Sequence, residues 1–115
     1  MTGLDDDLRK QLDALKQSFL SDLPSRLECI EKSLNECIHN DFAPSSVEAF
    51  HRCCHSTAGT SATHQLREIS RVARNIEQYI RPYMENPDHS VHPDKVKLAT
   101  LINELRSAIH NTIHQ

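Results

Sequence analysis

The chain has 115 residues, a net charge of −3 and an apolar fraction of 37%, which suits one domain around one core and is short for two. Its 13 Lys and Arg are scattered among 16 Asp and Glu, so the basic stripe that displaces counterions from nucleic acid is missing. No apolar run nears the roughly 20 residues of a membrane span, and Met1 to Lys10 has neither a basic start nor an apolar signal region, which points to the cytoplasm.

Leu4, Leu8, Leu12, Leu15, Phe19, Leu23, Leu27, Ile30, Leu34 and Ile38 recur at intervals of three or four, the spacing of one buried helical stripe. Pro24 interrupts it. With Ser21 or Asp22 as a cap, the favoured reading is a short leading helix followed by a longer one, a kinked first helix being the alternative. His39 to Pro44 reads as a turn, and Ser45 followed by Glu48 has the capping-box form that opens a second helix ending near Thr63 or His64. A third helix carries Leu66, Ile69, Val72, Ala73, Ile76, Ile80 and Tyr83 on its apolar side. Asn86 to Pro93 breaks it, and a final helix follows with the stripe Val96, Ala99, Ile102, Leu105, Ile109 and Ile113. Four amphipathic helices with short connections predict an all-α fold, an antiparallel up-down-up-down four-helix bundle, with residues 1–115 as a single domain. Because the four stripes can satisfy one another, the expectation is a monomer.

Four cysteines do not make a disulfide scaffold here. Cys29 and Cys37 sit on one predicted helix roughly 12 Å apart at 1.5 Å rise per residue, and Cys53 and Cys54 are adjacent and helical, so reduced thiols are the simpler reading. Cys54 reads as a small core residue.

The most informative stretch is Phe50 to Glu77. At about 100° per residue, His51, His55, Gly59 and Ala62 share one side of the second helix, opposite Val47, Phe50, Cys54, Thr57 and Ser61. His55 therefore faces solvent. Gly59, one turn on, clears space beside the ring at a cost of roughly 1 kcal/mol in helix propensity, a choice that favours close approach by another molecule.

His55, Gly59, Thr60 with Ser61, the apolar series Leu66, Ile69, Val72, Ala73 and Ile76, and finally Glu77 stand in the register of a known pattern, and Phe19 to Leu34 looks like the first long helix that precedes it. In these residues the chain resembles the histidine-containing phosphotransfer (HPt) domains of two-component phosphorelays. The resemblance implies that His55 accepts a phosphoryl group from an aspartyl phosphate on a receiver domain and passes it to another. It also implies partners in the receiver domains of a hybrid sensor kinase or a response regulator, and no intrinsic cofactor, since the receiver brings the Mg²⁺. The chain would be a phosphocarrier with no ATP-dependent kinase activity of its own. Many family members have leucine and lysine where this chain has Thr57 and Ala58, and a glycine where it has Gln65. Arg52, about 60° from His55 on the helical wheel, and Arg67 and Arg71 after the turn are candidates to replace the lysine's charge. His51, Arg52, Gly59, Ala62, Gln65 and Arg67 thus form the expected phosphate or partner vicinity.

Two other classes stay open. One is a helical bundle that binds a receiver or another protein without being phosphorylated. The other is a metal-binding module built on His51, Cys53, Cys54 and His55, which helical geometry disfavours because Cys53 points about 160° away from His55. His64, near the helix junction, is expected to cap or turn rather than react.

Overall fold

The computed structural model describes residues 3–86, 88 and 90–115, Leu4 through its backbone alone. Among these, four α-helices follow one another: α1 (Gly3–His39), α2 (Pro44–Thr63), α3 (Arg67–Glu85) and α4 (Lys95–Ile113). They pack as an antiparallel bundle in which α2 lies against α1 and α3, and α4 closes against α3 and α1. None of the described helices is long and apolar enough to cross a membrane. Of the proposed breaker segment, Pro87 and His89 lie outside the described residues, as does the side chain of Leu4.

α1 is one continuous helix, not a short leading helix followed by a longer one. Pro24 removes one backbone donor, but it is exposed, so the carbonyl it orphans can be met by water, while Leu23 and Leu27 anchor the same turn to the core. A second departure concerns its first half. The stripe periodicity continues back through Leu15, Leu12 and Leu8, yet these are 59%, 53% and 55% exposed. α1 runs 37 residues where its neighbours run 19 or 20, so its N-terminal turns extend past the bundle and give a long axis of 61 Å against 27 and 18 Å for the others. Packing begins at Phe19, whose ring stacks on His64 at 5.4 Å.

The capping box expected at Ser45 and Glu48 is not formed. α2 begins one residue earlier with Pro44 in its first turn and Ala43 as an N-cap without a side-chain bond; a proline pre-set for helical φ starts the helix on its own, and Glu48 instead pairs with Arg52 at 3.1 Å. α4 is capped by Asp94, whose carboxylate accepts from the backbone N–H groups of Val96 and Lys97. That cap sets the helix phase so that Leu98, Leu101, Ile102, Leu105, Ala108 and Ile109 are buried. Val96, Ala99 and Ile113, expected in the stripe, are exposed.

The α2–α3 junction turns on Gln65, which adopts φ +60°. This left-handed conformation costs an L-residue about 1–2 kcal/mol and glycine little. His64 closes the end of α2 by donating its backbone N–H to Thr60. We expect Gln65→Gly to raise stability by about 1 kcal/mol, seen as a higher thermal midpoint; an unchanged midpoint would show that the glutamine side chain compensates its own strain.

Candidate functional site

α2 presents two faces as its wheel requires. Val47, Phe50, Cys54, Thr57, Ala58 and Ser61 are buried, while His55, Gly59 and Ala62 are exposed. The α3 stripe Ile69, Val72, Ala73, Ile76 and Ile80 locks against them, and Ser70 Oγ donates to the Ala58 carbonyl at 3.0 Å. This pairing brings Glu77, one turn beyond Ala73, up beneath the exposed face of α2.

Glu77 lies mid-helix, since α3 runs on through Pro82 to Glu85, and its side chain is only 6% exposed. A buried carboxylate is costly unless it is paired, and Glu77 has three partners. One carboxylate oxygen accepts from His55 Nδ1, lies 3.7 Å from His51 Nε2 and lies 3.7 Å from the Arg81 guanidinium. The His55 side chain itself is 70% exposed. With Nδ1–H donated to Glu77, the lone pair of the neutral ring resides on Nε2, away from the carboxylate. Glu77 stands in the register of the sequence pattern with no role assigned by it, and Arg81 carries no signal there at all.

His51 departs from expectation in being mostly covered, its side chain 16% exposed and its ring stacked near-parallel to that of His55 at 6.1 Å. The two rings, Glu48, Arg52, Arg81 and Met84 line a concavity of about 440 Å³. Arg52 therefore stands where a phosphoryl oxygen on His55 could be met. Arg67 and Gln65 do not: they flank the α2–α3 turn, past the end of α2 at Thr63, which lies about 12 Å beyond His55 at 1.5 Å per residue. Arg71 is held by Glu68 and borders α4 beside Thr100 and Glu104, so it does not supply charge to His55. On the other flank, Arg26 of α1 reaches Ser56 Oγ at 3.5 Å, a neighbour the helical wheel of α2 alone could not reveal.

Gly59 and Ala62 continue the exposed face beyond His55. A Cβ at Gly59 would meet nothing within 4 Å, so the residue is not required by packing. Gly59→Leu should keep the fold and stabilise the helix by up to about 1 kcal/mol, while slowing reaction with any macromolecule that docks there. An undiminished reaction rate would remove this flank from the docking face.

The alternative metal cluster is dispersed. Cys54 is in the core, Cys53 turns toward α1 with its sulfur 3.7 Å from Ser33 Oγ, and only the two histidines share a face. Among the described residues no three His, Cys, Asp or Glu side chains are grouped to hold a metal ion.

No curated protein and no solved structure matches the chain. The family model of the Hpt domain matches residues 14–111, a span that opens shortly before α1 starts to pack and closes in the last turns of α4. Members of that family are helical bundles that act in histidine phosphotransfer and interact with receiver domains of phosphorelays. With most of its length matched and all four helices in place, this chain belongs to the Hpt domain family.

Proposed function

We propose that His55 is the phospho-accepting residue and that the chain relays a phosphoryl group between receiver-domain aspartates. The observation that carries this reading is the pairing of an exposed imidazole, through Nδ1, with a buried carboxylate from another helix. That contact fixes the ring's orientation and tautomer before a partner arrives.

In the proposed transfer, the Nε2 lone pair attacks the phosphorus of an aspartyl phosphate in line. The N–P bond forms as the P–O bond to the aspartyl carboxylate breaks, and the carboxylate leaves with the bonding pair. No proton need move. The product ring keeps its Nδ1–H and gains positive character, which Glu77 stabilises at a contact already made. The positive ring is also a good leaving group, so the step is reversible toward a second receiver aspartate. Arg52 and Arg81, both on the concavity beside His55, are positioned to meet the phosphoryl oxygens in place of the family's lysine. The Mg²⁺ that neutralises the acyl phosphate would be held by the receiver, and the chain would need no cofactor of its own. The receiver of a hybrid sensor kinase or of a response regulator, met in the cytoplasm by a monomer, is the partner this reading requires.

Incubation with phosphorylated receiver domains and Mg²⁺, followed by intact-mass detection of acid-labile phosphate, tests the proposal. Label on the wild type supports a carrier. The absence of the lysine favours one other reading, a bundle that binds receivers without being phosphorylated; receiver binding with no label, across several receivers and with the bundle folded, would establish that reading instead.

A further inference from the structure

Cys29 of α1 and Cys53 of α2 take no part in the chemistry above, yet they face one another across the helix interface. Both line a concavity of about 280 Å³ together with Arg26, Arg52, Ser56 and Thr57. Cys53 packs against α1 at Ser33, one turn beyond Cys29, which sets the two thiols on the same side of the α1–α2 contact. Cys29 is exposed and Cys53 half-buried, whereas Cys37 and Cys54 are buried. The two groups differ in chemistry as well. Burial pushes the Cys37 thiol up to about 11 and Cys54 further still, so both stay protonated and inert, while the Cys29–Cys53 pair opens toward solvent beside the guanidiniums of Arg26 and Arg52. The concavity adjoins the site: Arg52 lines both hollows, and Ser56 follows His55 in sequence.

We propose that Cys29 and Cys53 form a reversible dithiol–disulfide pair, oxidised by a hydroperoxide, whose closure slows phosphoryl transfer at the adjacent His55 face. One thiolate attacks the peroxide oxygen, the O–O bond breaks, and the products are a sulfenic acid and an alcohol, or water when the oxidant is hydrogen peroxide. The second thiol then attacks the sulfenic sulfur; the S–S bond forms, the S–O bond breaks and water leaves. Two thiols thus lose two protons and two electrons, and the peroxide takes up both. A thiol reductant reverses the change by exchange. Drawing Cys53 toward α1 closes the hollow beneath Arg52 and Ser56 and alters the surface a receiver meets. The Cys29 thiol is pushed up from 9.0, first by charge on neighbouring Cys53 and then by burial. Oxidation should accordingly go on accelerating as pH rises past that value.

The transfer half of this proposal rests on the His55 reading; the disulfide does not. The test treats the folded, reduced full chain with hydrogen peroxide, measures intact mass, maps the linked peptides, and follows transfer from a phosphorylated receiver before and after dithiothreitol. The expected result is loss of two hydrogens, a Cys29–Cys53 link, and transfer slowed at least about tenfold and restored by the reductant. Cys29→Ser, at an exposed position, should show neither the mass loss nor the slowing. An intact bundle with no such link, a link that leaves transfer unchanged, or a Cys29→Ser variant slowed as much as the wild type would overturn the proposal. Reduced wild type that takes no label would overturn the His55 reading and the transfer half with it, while the mass data still decide the dithiol.

Discussion

His55→Gln should abolish acceptance of phosphate from a receiver while leaving the bundle essentially as stable as the wild type. The ring is 70% exposed, so no core packing is lost, and the glutamine amide can still donate to Glu77. Substitutions at such positions stay within about 0.5 kcal/mol, which for a domain of this size moves the thermal midpoint by about 2–4 °C. The matched control is His51→Gln, one turn earlier on the same face. It should retain label, because His51 Nε2 is buried and a covered nitrogen cannot meet a phosphorus in line. Label that persists in His55→Gln and vanishes in His51→Gln would move the acceptor by one helical turn.

Glu77→Ala should slow transfer by about 10- to 100-fold, the range seen when a residue that orients a reactive group through a hydrogen bond is removed. It would release His55 Nδ1 and strip the charge that stabilises the phosphorylated ring. His51 would lose its near neighbour at 3.7 Å and so would the Arg81 guanidinium, leaving polar groups under-satisfied at a cost of about 1–3 kcal/mol. Glu77→Gln separates the two roles. Its amide oxygen can accept from Nδ1, so orientation and fold should largely survive, and the remaining loss of rate measures the charge. Single-turnover transfer rates for both variants, at pH values across the imidazole range, provide the comparison. Equal rates in Glu77→Ala and wild type would make Glu77 a structural residue only.

The readable parts of this protein were those in which one helix is its own reference. The exposed face of α2 with His55, Gly59 and Ala62, and its buried face from Val47 to Ser61, followed from the 3.6-residue period and hold in the structure. What crosses between helices was not readable. Glu77 is 22 residues from His55 and reaches it only because α3 packs antiparallel on α2; nothing in the spacing of either helix specifies that contact. Arg81 is hidden in the same way, and His51 is covered because the neighbouring helix, not its own, closes over it. A charged residue between Ile76 and Ile80 on an apolar stripe was the available signal, since such a carboxylate needs a partner. The stripe of α1 misled for a different reason. Periodicity reports which side of a helix is apolar but not whether a neighbour is there to cover it, so Leu8, Leu12 and Leu15 read like core residues. Helix length carried the correction, for a stripe of ten positions outruns partners of 19 or 20 residues.

That overhang gives α1 two stabilities within one hydrogen-bond ladder. From Phe19 onward the helix opens only when the bundle opens, because Leu23, Ile30, Leu34 and Cys37 are embedded in the common core. Before it, each turn is held by little more than intrinsic propensity, added to a nucleus the bundle has already formed. Opening there proceeds turn by turn toward Phe19, at small cost. The cooperative folding unit therefore starts near the middle of the first helix, and the leading turns form a rod whose helicity can rise or fall without disturbing His55.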